Sequence, residues 1–148
     1  TTPYNHRRQR QMCIRDRFEP QATGVHYDPH YTGLLKQLGI QLKRYFAEEP
    51  HTRFDVTMDN RGTTYQQRVW RALQQIPPGQ TRTYGQLATQ LKSSPRAVGN
   101  ACRQNPAPLL VPCHRVVAAT GLGGFAGETQ GRRLAMKRWL LEHEGAPV

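Results

Sequence analysis

The sequence predicts an α+β fold, mostly helical, in which a helix-turn-helix of winged-helix-like type precedes a short β element carrying a cysteine. Three observations predict it. Helical period or a helix-opening cap marks the segments 34–46, 63–76, 83–104 and 130–143. Apolar runs suited to a strand are scarce, Leu109-Leu110-Val111 being the candidate, and Val116-Val117 resumes the apolar pattern after it. Glycine and proline punctuate between them, at Pro77-Pro78-Gly79, at Asn105-Pro106 and from Gly121 to Gly127.

Residues 1–31 show few aliphatics, scattered arginine and no period, and read as a disordered tail. Within it, Gln11 to Arg17 (QMCIRDR) looks like the translated end of a transposon adapter used in preparing sequencing libraries. On that reading the residues before about 18 belong to no natural fold, and Cys13 is incidental. From Leu34 to Phe46 a helix is predicted, with Leu34, Leu35, Leu38, Leu42, Tyr45 and Phe46 near one face. Residues 47–62 are polar and end in Asn60-Arg61-Gly62, a linker. The chain therefore divides into a tail (1–31), a helix plus linker (32–61) and a main domain (62–148).

Thr63 or Thr64 caps a second helix carrying Tyr65, Val69, Trp70, Leu73 and Ile76, and Pro77-Pro78-Gly79 stops it. Thr83 and Gln86 form a capping box that opens a short helix through Leu87, Ala88 and Leu91. Lys92-Ser93-Ser94 is a tight turn. Ser94 then serves as the next N-cap, Pro95 suits the first helical position, and the helix runs from Arg96 to Gln104. Two short helices joined by so brief a turn are a helix-turn-helix, a weak signal alone because many helix pairs bind nothing. Leu109-Leu110-Val111 is the candidate strand leading into Pro112-Cys113-His114-Arg115. The closing helix, about 130 to 143, buries Leu134, Trp139, Leu140 and Leu141.

At 148 residues, 36% of them hydrophobic, the chain has room for one domain, or one domain plus a fragment of another, with a modest core. No apolar run approaches the roughly 20 residues that span a bilayer. Three cysteines without paired spacing argue for a reducing compartment, and with no secretory signal the expected location is the cytoplasm, or the nucleus of a eukaryotic source. Lysine and arginine number 21 against 10 acids. Between Asp59 and Glu128 there is no acid at all, while Arg61, Arg68, Arg71, Arg82, Lys92, Arg96, Arg103 and Arg115 fall there. One sign of charge over so long a stretch repels itself. A polyanion offsets that cost, which favours nucleic acid over a merely solvated basic surface.

Cys113 sits between a proline and a histidine, at the exit of the candidate strand. Local positive charge favours a thiolate, so the cysteine has a nucleophile's surroundings. His114 is the candidate base, although neighbours on a strand face opposite ways, so a direct contact needs a turn or a bridging water. Glu144 is one of few carboxylates left to orient the histidine. The bland alternative is a buried inert cysteine beside a surface histidine. A zinc site is disfavoured because Cys102, Cys113 and His114 lack chelate spacing.

Pro112-Cys113-His114-Arg115-Val116-Val117 resembles the active-site signature of the O6-alkylguanine-DNA alkyltransferases. The resemblance runs from about Gly62 to Gly145. It takes in Val69-Trp70, Ile76-Pro77, Tyr84-Gly85-Gln86-Leu87-Ala88, Arg96-Ala97-Val98-Gly99, Asn105-Pro106, Lys137, Trp139-Leu140-Leu141 and His143-Glu144-Gly145. It implies that Cys113 accepts the alkyl group in a single-turnover reaction, and that His114 activates it through a water with Glu144 behind. It further implies that Asn105 holds the turn presenting them and that Tyr84 serves both DNA and chemistry. Arg96 matches the family's arginine finger, which fills the gap left by a flipped guanine in double-stranded DNA. Gly85, Ser93, Ala97, Gly99 and Arg103 complete the DNA-facing set, the small residues suiting close approach to the minor groove. Lys137 lies near the site in the family pattern, or is a solvated helix lysine. The resemblance implies no cofactor and a monomer. Members usually carry an N-terminal α/β domain, which in some holds zinc, and this chain keeps at most its last helix. The loop from Gly121 to Arg132 differs in length from the shortest versions, and Ala126 replaces a serine found in some. Rival readings are a non-catalytic module that binds alkylated DNA, a helix-turn-helix transcription regulator and a cysteine hydrolase.

Overall fold

The computed structural model describes residues 32–47, 49–56 and 61–148. The expectations about the tail, including the adapter-like string and Cys13, lie outside these residues, as do residues 48 and 57–60 of the linker. The first helix, α1, spans Thr32–Ala47. Tyr45 is fully buried, but Leu35 and Phe46 on the expected apolar face are 42% and 48% exposed. Leu34, Leu38 and Leu42 are half-buried, so Tyr45 is the one residue of that face fully covered.

Helix α2 (Thr64–Gln74) opens on a capping box in which Thr63 and Gln66 bond each other's backbone N–H. It buries Val69, Trp70, Ala72 and Leu73, and the Trp70 indole donates to Ala101 O at 2.9 Å. The two-residue strand β1 (Arg82–Thr83) leads straight into α3 (Tyr84–Gln90), which repeats the device with Thr83 and Gln86. Lys92 takes a positive φ of 51° to turn the chain, and Ser93 N bonds back to Ala88 O. Ser94 then caps α4 (Pro95–Arg103) with Pro95 in the first turn. Helices α3 and α4 pack on each other, with α2 against α4, around Leu87, Val98 and Ala101. The expected helix-turn-helix is in place.

The expected strand at Leu109–Val111 is not one. Leu109 has φ of 79°, outside any strand conformation, and the segment is a turn with a lone bridge from Pro108 to Val111. The sheet lies further on. β2 (Val116–Val117) pairs in parallel with β1, Arg82 opposite Val116 and Thr83 opposite Val117. Cys113 therefore stands before the strand, in a 3-10 turn over Cys113–Arg115, and not at a strand exit. Two-residue parallel strands leave no period to read, and an apolar triplet cannot be told from a buried turn by hydrophobicity alone.

The closing helix, α5, spans Arg132–His143 and begins without a side-chain cap at Gly131. It buries Leu140 and Leu141, while Leu134 is half-buried. Trp139 departs from expectation: it is 47% exposed and stacks between His143, at 4.8 Å, and Phe46, at 5.8 Å. Its partners belong to the α1 contact and not to the core. Among the described residues no helix is long and apolar enough to cross a membrane.

Candidate active site

The site grows from a buried turn. Asn105 lies two residues past the end of α4 and is 2% exposed. Its Nδ2 donates to Val111 O at 2.7 Å and its Oδ1 accepts from Ala107 N at 3.0 Å. Cys113 N also donates to Val111 O, at 2.8 Å. One side chain thus closes the loop 105–111 and fixes the residue that delivers Cys113. The unfavourable φ of Leu109 is held by these bonds.

Cys113, His114 and Arg115 are all buried, the histidine completely. His114 Nε2 lies 2.8 Å from Glu144 Oε1. Arg115 grips the same carboxylate from Nε to Oε2 and from Nη2 to Oε1, each at 2.9 Å, and its Nη1 donates to Ile76 O at 2.6 Å. Glu144 follows the last turn of α5, where a negative charge meets the negative helix end, so its ionisation needs these donors. Burial pushes the Glu144 carboxyl up, but the hydrogen bonds and charge of His114 and Arg115 outweigh that and bring it down to about 2. An ionised Glu144 can only accept, so His114 Nε2 carries the proton and donates. His114 Nδ1 is then the free lone pair, and it has no hydrogen-bond partner. Burial lowers the His114 pKa more than Glu144 raises it, so the ring is neutral at neutral pH. The 3-10 turn supplies the change of direction that a strand would not.

The lowered Glu144 pKa carries a consequence for stability. Its ordinary value is 4.5 against about 2 here, so native protein binds fewer protons than unfolded chain in that interval. Stability from this group is complete above about pH 4.5 and is lost as pH falls toward about 2, worth on the order of 3 kcal/mol. Urea unfolding at pH 6 and pH 3 should show about two thirds of that loss, roughly 2 kcal/mol, and Glu144→Gln should flatten the pH dependence while lowering stability throughout.

Around Cys113 the surroundings differ from expectation. The sequence suggested a thiol eased toward thiolate by nearby cations, yet Arg115 is 6% exposed and spent on Glu144 and Ile76. Burial pushes the Cys113 thiol up, while a hydrogen bond with Asn105 and the charge of Lys137 pull it back. The resting form is therefore the thiol. Lys137 is the cation that matters, and it is no solvated helix lysine. It is fully buried, with Nζ donating to Val116 O and Leu122 O at 2.6 Å and to Gly124 O at 3.0 Å. Burial lowers its pKa to about 8, against the pull of Cys113 and Cys102. It pins the glycine loop to the strand that follows the cysteine.

A pocket of about 170 Å³ opens above Cys113, lined by Tyr84, Gly99, Cys102, Arg103 and the loop 124–129, including Ala126. Tyr84 Oη donates to Gly124 O at 3.3 Å, and its pKa is raised by burial, so it stays a proton donor. Gly123 has φ of 69°, and a Cβ there would come 3.1 Å from the Tyr84 ring, so glycine is needed for the loop to lie on it. Arg96 is exposed at the start of α4, one turn before Gly99 and on the stripe that Gly99 and Arg103 continue along the pocket wall. Ala97 is half-buried on the same helix, and Gly85 is exposed at the start of α3. The Arg103 guanidinium lies against Gly127, where a Cβ would come within 2.9 Å of its Nε. Ser93 is differently placed: its hydroxyl lies 2.7 Å from Tyr65 Oη and ties the turn to α2. A larger groove of about 680 Å³, between residues 51–54 and Leu109-Leu110, includes Arg115 but not Cys113. No cluster of candidate metal ligands occurs among the described residues.

Sequence reasoning missed two participants. Arg115 was counted with the surface cations, although its place directly after Cys-His, with Glu144 as scarce partner, was an available signal. Tyr45 was read as one apolar residue of α1; its hydroxyl in fact donates to Glu144 Oε1 at 2.7 Å. No local signal could link residues so far apart in the chain.

A helix-turn-helix whose second helix walls a small pocket, with a thiol in its lining and a His–Glu pair beside it, is an arrangement that suits a DNA-handling protein with a nucleophilic cysteine. The comparisons agree. The family model described as 6-O-methylguanine DNA methyltransferase, DNA binding domain, matches residues 64–146, and the chain belongs to that family. It is 45% identical over 127 residues to a methylated-DNA–protein-cysteine methyltransferase of Mycolicibacterium paratuberculosis, covering 82% of this chain and 74% of the relative. To the protein of that name from Mycobacterium tuberculosis it is 44% identical over 134 residues, 88% of this chain and 77% of the relative. The crystal structure of Mycobacterium tuberculosis OGT in complex with DNA superposes with a TM-score of 0.67 at 47% identity, over 76% of this chain and 69% of that one. An O6-methylguanine-DNA methyltransferase from Pyrococcus kodakaraensis gives 0.59 at 32% identity, over 79% and 78%.

Proposed function

We propose that the protein repairs double-stranded DNA by transferring an alkyl group from O6 of guanine to its own Cys113. The observation that carries this is the unpaired His114 Nδ1, fixed as acceptor by Glu144, in the turn that sets Cys113 in the lining of the pocket. The Cys113 proton passes through one water to His114 Nδ1. Sγ then attacks the alkyl carbon in line with the breaking C–O6 bond, and the electron pair leaves with guanine. The Tyr84 hydroxyl protonates the departing base, and the proton taken up by His114 returns to Tyr84 through solvent, so that the net transfer is one proton from the thiol to guanine. Lys137 steadies the thiolate while its hydrogen bonds hold the loop that Tyr84 leans on. Asn105 positions the turn.

Arg96 enters the duplex and occupies the space of the flipped guanine, and Gly85, Ala97, Gly99 and Arg103 form the DNA-facing surface. Ser93 belongs to it through the turn it braces. The 62–148 unit is the working domain, and 32–61 is a helix and linker that precede it. The chain works as a monomer where chromosomal DNA lies, in the cytoplasm of a bacterial-type cell.

A thioether does not hydrolyse under mild conditions, so the reaction is stoichiometric and needs no cofactor. The test is titration of the protein with duplex bearing labelled O6-methylguanine. Label on protein should plateau at one equivalent however much substrate is added. Continued turnover would favour a hydrolase, and tight binding without transfer a recognition module.

A further inference from the structure

Tyr45 reaches the catalytic carboxylate from outside the segment that the family model matches, 64–146. Its ring is fully buried and held by Phe46, Phe54 and His143, with centroids 5.1, 5.6 and 5.1 Å away. His143 Nε2 also bonds the Tyr45 backbone carbonyl. The hydroxyl is thereby aimed at Glu144 Oε1, the oxygen that also accepts from His114 Nε2 and Arg115 Nη2.

We infer that Tyr45 is a positioning residue for the reaction, donating its hydroxyl to Glu144 Oε1 so that His114 remains a neutral base. The inference rests on alkyl transfer to Cys113 as described above. A protonated His114 would be stabilised by the full charge of Glu144. Each further donor on Oε1 draws off part of that charge, so the imidazolium gains less and Nδ1 keeps its lone pair to lower pH. The other charged groups facing this cluster push the same way: Arg115 from the 3-10 turn and Lys137 from α5 both lower the His114 pKa. Burial and the neighbouring Glu144 raise the Tyr45 pKa, so its hydroxyl stays a donor throughout the working range. Helix α1 thus contributes to the proton relay itself.

The experiment compares the parent chain with Tyr45→Phe, which keeps the ring and its three aromatic contacts. The first readout is the single-turnover rate of methyl transfer from O6-methylguanine duplex between about pH 5 and about pH 9. The second is the His114 titration followed by ¹⁵N NMR, which needs no activity. In Tyr45→Phe the acid limb and the His114 pKa should both move up by about half to one unit. The rate below the limb should fall about threefold to tenfold, with parental rates regained at higher pH. Placing 3-fluorotyrosine at position 45, a stronger donor of nearly the same shape, should move both the other way. A lower melting temperature with limb and His114 titration unmoved would overturn the inference, leaving Tyr45 a tether for α1. A parent chain that transfers no methyl would refute the proposed function instead, while the NMR arm would still decide the role of Tyr45.

Discussion

Cys113→Ser should abolish alkyl transfer, by more than about 10³-fold, and leave duplex affinity within about twofold of the parent. A serine hydroxyl has much the same size, so the 3-10 turn and the bonds of Asn105 to Val111 and Ala107 survive. Chemistry is lost because a neutral imidazole cannot ionise a hydroxyl far above its own pKa, nor can Lys137 hold an alkoxide as it holds a thiolate. Binding survives because the exposed Arg96 and the caps of α3 and α4 do not touch position 113. A melting curve must accompany the rates, since a misfolded variant would lose both. Residual transfer within about tenfold of the parent would move the acceptor elsewhere, and Cys102 would be the first place to look. It lines the same pocket, but burial raises its pKa to about 12 and it lacks the histidine.

Arg96→Ala carries the second large effect, and it is selective. Repair of O6-methylguanine in duplex should slow by about tenfold to hundredfold, each tenfold corresponding to about 1.4 kcal/mol of lost support for the extrahelical base. Reaction with free O6-benzylguanine, which needs no flipping, should change by less than about twofold. The separation follows from place. Arg96 is exposed one turn ahead of Gly99, so it lies beyond the pocket wall and does not line the pocket. If it also meets a phosphate, the salt slope of binding should fall by about 1. Equal slowing on both substrates would remove the finger assignment and make Arg96 part of the pocket's own architecture.

Sequence legibility divided along a physical line. Features set by neighbours a few residues apart were readable. The Thr83–Gln86 capping box acts over three residues, the Ser94-Pro95 start of α4 is equally local, and of the two candidate caps Thr63 and Thr64 the structure uses Thr63, paired with Gln66. Their order implied the helix-turn-helix. Cys113, His114 and Glu144 could be singled out because Pro-Cys-His-Arg is a compact signal and acids are scarce, and the structure brings His114 and Glu144 to 2.8 Å. What failed was set at long range. The β1–β2 pair is two residues long on each side and joins positions 82 and 116. Leu109-Leu110-Val111 looked like a strand because apolar content does not record φ, and a buried side chain, Asn105, bends that segment. Trp139 looked like core because its size suits burial, yet α1 offers it a stacking partner instead. Lys137 was the closest balance: a lysine on a helix gives no sign that three carbonyls await it on the inner side. Tyr45 was out of reach altogether, since its meaning depends on a hydroxyl meeting a carboxylate across the domain.

The central claim is that Cys113 itself becomes alkylated, once. Intact-mass spectrometry after incubation with O6-methylguanine duplex, followed by peptide mapping, tests it most directly. The geometry predicts a gain of about 14 Da per molecule, one methyl and no more, carried by the peptide containing Cys113. The duplex should be left with unmodified guanine. Methyl on Cys102, or guanine restored with the protein mass unchanged, would contradict the account.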